Sequence, residues 1–309
     1  MIVTLTVNPA IDRIISVDHL AFEDRAYILS NRESAGGRGI NASQVIHSFG
    51  AKTIAVIASG GKAGRRLRRL LKECGFQVRI AEIENETRTN LTITDQRGLT
   101  VNLNEKGPQI AKPEVAGIEK AVSDCLAGAS WLLLCGSLPP GVPASIYGKL
   151  TVLARKRKVQ TLLHVSGDAL REGIKARPTV VTPNQSEAER LLDRRLLTRS
   201  HYLEAAQQIR DMGPESVVLS LASRGAVAAF ADGLYEAIPP AIDAVCPIGS
   251  GDALSAGYAW RMQEPQPSGV EALRWGVAAG TASARQPGMR FATLEQTQEV
   301  YRQVEVRRV

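Results

Sequence analysis

The feature that most constrains this chain is an alternation repeated along most of its length: short apolar runs rich in β-branched residues, separated by segments with helical periodicity. The runs at 2–7, 53–59, 77–83, 131–137, 161–166, 178–182 and 216–222 are nearly continuously apolar, as strands covered on both faces of a parallel sheet should be. Between them, Ala42, Val45, Ile46 and Phe49 fall at spacing 0, 3, 4, 7 with Gly50 as a stop, which predicts a helix over 41–50. Leu67, Leu70, Leu71 and Cys74 repeat that spacing in 62–74. Further helices are predicted over 113–127, 143–157, 185–194, 201–212, 252–263, 269–285 and 293–304. Strands alternating with helices imply a doubly wound, mostly parallel α/β sheet flanked by helices. A chain of 309 residues buries roughly three quarters of its unfolded surface, enough for a large core.

Two stretches break the pattern. Residues 10–33 hold no convincing helix, and 86–104 alternate with period two around a turn at Asp95-Gln-Arg-Gly98, which predicts a hairpin with one wetted face. Together they are expected to form a small β-sheet lid, 10–33 with 86–104, on a core made of 1–9, 34–85 and 105–309. Another hairpin should turn at Asp232-Gly233.

Composition narrows the class of partner. The 38 basic against 31 acidic residues give a net charge of +7, which suits an anionic partner, either nucleic acid or a phosphorylated metabolite. Arg65, Arg66, Arg68, Arg69 and Lys72 have no interleaved aromatics and read as the solvated face of a helix, so no nucleic acid is expected. The longest strongly apolar stretch, Trp131 to Cys135, falls far short of the roughly 20 residues of a membrane span. The opening residues lack the features of a secretory signal, so a cytoplasmic protein without a membrane partner is expected. Cys74, Cys125, Cys135 and Cys246 have neither disulfide-framework nor zinc spacing and read as small buried hydrophobes.

Four motifs offer chemistry, each with a plainer reading beside it. Gly249-Ser-Gly-Asp252 enters a helix as a glycine-rich turn whose amides cradle anionic oxygens, with Asp252 either beside that cradle or merely complementing the helix dipole. Gly36-Gly-Arg-Gly-Ile-Asn41 opens another helix; its partial match to a dinucleotide fingerprint lacks the required first βα turn. Asn184 and Glu187 follow a strand end and either hold water around a magnesium ion or form an N-cap with its box partner. Asp12, closing Asn8-Pro-Ala-Ile-Asp12, binds sugar hydroxyls or caps a turn. His19, His47, His164 and His201 make no metal spacing and read as ordinary residues.

In this order the motifs resemble the phosphofructokinase B family of ribokinase-like sugar kinases. The likeness extends through Ala58-Ser-Gly-Gly61, Thr87-Arg-Thr-Asn90, Cys135-Gly-Ser-Leu-Pro-Pro-Gly141 and Gly276-Val-Ala-Ala-Gly280, over essentially the whole chain, and is closest to the minor 6-phosphofructokinase type. The resemblance implies phosphoryl transfer from ATP with magnesium, and a β lid that often pairs with a second subunit's lid, hence a homodimer. It assigns Asp252 as catalytic base and the Gly249, Ser250 and Gly251 amides as anion hole. Asp12, Gly37 and Asn41 would hold sugar hydroxyls, while Arg25, Arg38, Arg88 and Ser137 would approach the sugar phosphate. Asn184 and Glu187 would support magnesium indirectly, and Asn184, Ser220, Gly225, Ala279 and Ser283 would lie on the nucleotide side.

The implied substrate is a ketohexose phosphate, with fructose 6-phosphate first and 1-phosphofructokinase or tagatose-6-phosphate kinase activity next. A kinase for an unphosphorylated sugar or nucleoside, and a non-catalytic binding protein, are the rival readings. Several positions depart from the family pattern: Thr182 replaces a lysine common in phosphofructokinases, His164 a usual aspartate, Pro247 a threonine and Gln44 a basic residue.

Overall fold

A computed structural model describes residues 1–21, 23–288 and 290–309. The chain runs β1 (Ile2–Thr6), β2 (Ala10–Val17), β3 (Ile28–Gly36), α1 (Arg38–Ser48), β4 (Thr53–Ser59), α2 (Gly61–Lys72), β5 (Gln77–Glu82), β6 (Arg88–Asp95) and β7 (Thr100–Asn104). It continues through α3 (Lys112–Cys125), β8 (Trp131–Cys135), α4 (Ile146–Lys156), β9 (Gln160–His164), α5 (Asp168–Ile174), β10 (Val180–Val181), α6 (Gln185–Leu192) and α7 (Arg199–Asp211). The last part comprises β11 (Ser216–Ser220), β12 (Ala226–Phe230), β13 (Gly233–Ile238), α8 (Ser250–Arg261), α9 (Gly269–Ala284), α10 (Leu294–Tyr301) and β14 (Glu305–Arg308).

Ten strands form the main sheet in the order β14-β13-β12-β11-β10-β9-β8-β1-β4-β5. From β11 to β5 every pairing is parallel, and β12 to β14 continue the sheet antiparallel. The apolar strands are covered on both sides, which is why their sequences do not alternate. Val3, Leu5, Leu132 and Leu134 pack on one face with Ile118, Leu150 and Ile209. Ile2, Trp131, Leu133 and Leu162 face α1, α8 and α9 on the other. β1 lies between β8 and β4, so the strand order reverses there, and the crevice outside the strand carboxyl ends is where open α/β sheets bind ligands.

The two irregular stretches build a separate four-stranded sheet, β3-β2-β6-β7. The hairpin turn is closed by Gly98 N–H donating to Asp95 O at 3.0 Å. Three residues, Val7 to Pro9, separate β1 in the middle of one sheet from β2 in the other.

Differences from the sequence expectations lie mainly at element ends. α1 starts at Arg38 and not at 41, α4 starts at Ile146 and not at 143, and α8 starts at Ser250 and not at 252. The run 178–182 pairs only at Val180–Val181, because Pro178 and Pro183 bracket it and proline cannot donate to a ladder. α5 and β14 were not anticipated. The cysteines are free, but only Cys135 is fully buried. Among the described residues, no helix is long and apolar enough to cross a membrane.

Candidate active site

α8 begins at the crevice because Gly249 takes φ +84° as its N-cap, a conformation that glycine adopts without steric cost. A side chain there would also run into the Phe291 ring, 2.9 Å from a Cβ. Among the described residues the amides of Gly249, Gly251 and Asp252 have no acceptor, while Ser250 N–H donates to Pro247 O at 3.2 Å. Of the expected anion hole, then, the Ser250 amide is engaged within the turn, and the Asp252 amide is a further one without an acceptor among the described residues. Ser250 Oγ also donates to Pro247 O, at 2.8 Å. The residue that departs from the family pattern thereby ties the loop to the helix start.

Asp252 is buried, with 7 % exposed. Its Oδ2 accepts from Asn41 Nδ2 at 2.7 Å, and its Oδ1 lies 3.0 Å from His164 Nε2. Asn41 reaches it because α1 packs closely on β1: a Cβ at Gly39 would stand 2.5 Å from Thr6 Oγ1 and 2.7 Å from Leu5 O. Gly37, at φ +131°, caps α1. His164 ends β9, and Thr182, following β10, meets its Nδ1 through Oγ1 at 3.0 Å. The two departures from the family pattern touch each other, and His164 in turn touches Asp252.

The small sheet supplies a second group. Asn90 Nδ2 donates to Asp12 Oδ1 at 2.8 Å, and Gly36 leaves room for this carboxylate, whose Oδ2 lies 1.9 Å from where a Cβ would stand. Burial above all, with negative Asp252 nearby, holds the Asp12 carboxyl above the usual carboxylate range, against the lowering pull of Asn90 and Arg88. Arg88 donates to Glu105 O at 2.8 Å and Asn8 O at 3.1 Å, yet its buried Nε has no partner. Burial outweighs Asp12 and Glu105 and lowers the Arg88 guanidinium from its ordinary value. Ser137 accepts from Asn8 Nδ2 at 3.3 Å.

Asn184 and Glu187 do form the capping box: Asn184 Oδ1 accepts from Glu187 N–H at 2.9 Å, and Glu187 Oε2 from Asn184 N–H at 3.0 Å. Glu187 is nevertheless more than a cap, since its Oε1 accepts from Arg38 Nη2 at 2.9 Å. Burial opposes the Arg38 charge, but Glu187 and Asp252 more than offset it and hold the guanidinium above its ordinary value. Arg38 Nη1 is buried without a partner. A carboxylate has about four lone-pair sites, so Glu187 can still accept from water, and the pair fits a hydrated magnesium ion, which sheds its waters reluctantly.

The remaining expected residues lie outside this hydrogen-bonded cluster. Arg25 is exposed between β2 and β3, and its N–H donates to its neighbour Asp24. Ser220 N–H bonds Pro183 O at 2.9 Å. Gly225, at φ +87°, lets the chain pass Ala237 O, 2.0 Å from where a Cβ would be. Ala279 packs against Gly257 between α8 and α9, and Ser283 Oγ accepts from Ala292 N–H at 3.2 Å. Sequence reasoning missed Asn90 and the part played by His164; for the latter, a polar residue closing an otherwise apolar strand at its carboxyl end was the available signal.

The sequence pattern described as pfkB family carbohydrate kinase matches residues 5–296. The chain is 27% identical to the 1-phosphofructokinase of Vibrio cholerae over 99% of this chain and 96% of that protein. It is 29% identical to the ATP-dependent 6-phosphofructokinase isozyme 2 of Escherichia coli, over 97% of each. With the tagatose-6-phosphate kinase of Staphylococcus epidermidis it shares 29% over 99% of each. The structure of Escherichia coli phosphofructokinase-2 in complex with potassium superimposes with a TM-score of 0.91 at 28% identity, covering 97% of this chain and 98% of that one.

Proposed function

Because the chain belongs to the pfkB family of carbohydrate kinases and is a sugar-phosphate kinase using ATP, we propose that its acceptor is a phosphorylated ketohexose, fructose 6-phosphate first. The observation that carries this reading is Asp252, buried at the start of α8 beside unaccepted amides and held through both carboxylate oxygens. The acceptor hydroxyl gives its proton to Asp252 as its oxygen bonds the γ-phosphorus, and the bond from that phosphorus to the bridging oxygen breaks to leave ADP. Because the transition state is loose and its charge spreads over the γ-phosphoryl oxygens, positioning and charge neutralisation supply most of the catalysis. The amides of Gly249, Gly251 and Asp252 face that charge, and each lost donor costs on the order of 3 kcal/mol. Asn184 and Glu187 would hold magnesium through water, and the ion would neutralise charge on the phosphates.

A phosphorylated acceptor is favoured by Arg88 and Arg38, whose Nε and Nη1 are buried without partners and leave charge-assisted bonds to be made. Asp12 and Asn90, hydrogen-bonded to each other on the small sheet, would meet the sugar hydroxyls, with that sheet serving as the lid. The expected result of an ADP-release assay with Mg-ATP is a higher kcat/KM for at least one ketohexose phosphate than for any free sugar or nucleoside. A free sugar or nucleoside turned over better would refute the substrate class, and preference for fructose 1-phosphate or tagatose 6-phosphate would move the enzyme to its neighbours' chemistry.

The small sheet also supports a homodimer. Tyr27, Ile28 and Leu29 at one edge and Leu99, Val101 and Leu103 at the other are exposed by 39 to 65 %, and an apolar, edge-bearing surface of this kind marks an interaction site. Leu103→Lys is expected to turn a dimer into a monomer in sedimentation; a wild-type chain that sediments as a monomer would defeat the proposal.

A further inference from the structure

We propose that His164 is a positioning residue for the phosphoryl transfer, held as a doubly protonated imidazolium that locks Oδ1 of Asp252 and leaves the Oδ2 side to meet the acceptor hydroxyl. The inference rests on the reading of Asp252 as the base and goes beyond it by following hydrogens through the buried network. Nε2 of His164 lies 3.0 Å from Asp252 Oδ1, and an ionised carboxylate only accepts. Nδ1 lies 3.2 Å from the carbonyl oxygen of Thr182, which also only accepts.

The third neighbour is Thr182 Oγ1, 3.0 Å from Nδ1, and its hydrogen can be traced. Ser255 Oγ donates to Gly251 O at 3.0 Å, and Thr182 Oγ1 lies 2.9 Å from Ser255 Oγ. With the Ser255 hydrogen committed to Gly251, the Thr182 hydrogen goes to Ser255, and Thr182 Oγ1 shows Nδ1 only lone pairs. Both ring nitrogens then face acceptors, so both carry hydrogen. A neutral ring protonated on Nε2 alone would set the Nδ1 lone pair against the Thr182 carbonyl and take Ser255 off Gly251.

Charge balance agrees. Around Asp252 stand Asp12, Arg38 and the buried thiol of Cys135, with Glu187 and Arg88 beyond them. With the exposed Glu105 set aside, three buried carboxylates face two guanidiniums, and the imidazolium evens that count. Imidazole is the side chain suited to carrying such a charge near neutral pH. With Oδ1 fixed by His164 and Oδ2 steadied by Asn41, the plane of the carboxylate is set before the sugar arrives, and a misplacement of about 1 Å at a reacting group can cost on the order of a hundredfold.

The test is ¹⁵N NMR of histidine-labelled wild-type protein, without substrate and at neutral pH, with the His164 signal assigned by its loss in His164→Gln. Two protonated ring nitrogens are expected; one pyridine-type nitrogen would overturn the proposal. In kinetics, His164→Phe should lower kcat by roughly tenfold to a hundredfold while both KM values stay within about threefold. His164→Gln, whose amide N–H can reach Oδ1, should recover part of that loss. Wild-type kcat in His164→Phe would equally overturn it. Because the NMR measurement needs no substrate, a failure of the sugar-phosphate reading would show as absent sugar-dependent ADP release and leave the protonation result standing.

Discussion

Replacing Asp252 by asparagine should lower kcat at least about a hundredfold while both substrates still bind, since general base catalysis typically contributes 10² to 10⁴. The substitution keeps the shape but turns one oxygen into an NH₂, which must face a donor: Asn41 Nδ2, 2.7 Å from Oδ2, or His164 Nε2, 3.0 Å from Oδ1. Asn41 can answer by turning its amide, so the fold should survive with a loss of about 1–3 kcal/mol, the cost of a weakened charged hydrogen bond. If Asp252 were only a buried anchor, that stability loss would appear without the collapse in turnover. Measuring kcat, substrate Kd and the thermal midpoint on one preparation separates the two, and near-wild-type turnover would remove Asp252 as the base.

The second large effect is expected from Arg88→Ala, which should raise KM for the sugar phosphate roughly 10- to 150-fold, equivalent to about 1.5–3 kcal/mol for a lost charge-assisted bond. The KM for ATP should move little, because Arg88 opens β6 on the small sheet, hydrogen-bonded to Glu105 O and Asn8 O, away from the α8 cradle. Those two bonds also tie the sheet's exit to the end of β1, so the thermal midpoint should be followed alongside. Arg88→Lys keeps the charge and loses the two-pronged geometry, and should fall between the two. An unchanged sugar-phosphate KM in the alanine variant would take Arg88 out of the site.

What was legible in the sequence was local. The apolar runs and the 0, 3, 4, 7 spacing of Ala42, Val45, Ile46 and Phe49 revealed the layers, because burial on two faces or on one stripe leaves a period in the chain. The start of α1 was less visible: Arg38 and Gly39 carry no apolar stripe, and the helix begins there because Gly37 caps it at φ +131°. α5 has only seven residues, Asp168–Ile174, and β14 is a four-residue edge strand, Glu-Val-Arg-Arg, with one apolar side chain; neither is long enough to establish a pattern.

The site divides along the same line. Gly249 to Asp252 is a contiguous turn and could be read as one. The contact of Asn41 with Asp252 spans 211 residues and that of His164 spans 88, and no spacing rule reaches so far. His164 looked ordinary by itself, and Asn184 and Glu187 fitted either a cap or a metal support because both ask for Asn and Glu one helical turn apart; in the structure the capping box and the Arg38 ion pair use different atoms of the same carboxylate.

The close approach in the β2–β3 pair bears on how such a site is inherited. Position 36 can take a Cβ only if the Asp12 carboxylate moves, because Oδ2 of Asp12 lies 1.9 Å from the place a Cβ would take. An alanine arising first at 36 meets that obstruction and displaces the side chain that Asn90 steadies. A shorter residue arising first at 12 gives up the Asn90 contact but opens the space, and only then does a change at 36 become harmless. The two positions are coupled, so a side chain at 36 and the Asp12–Asn90 contact as it stands exclude each other, and the glycine is tied to the carboxylate's present position.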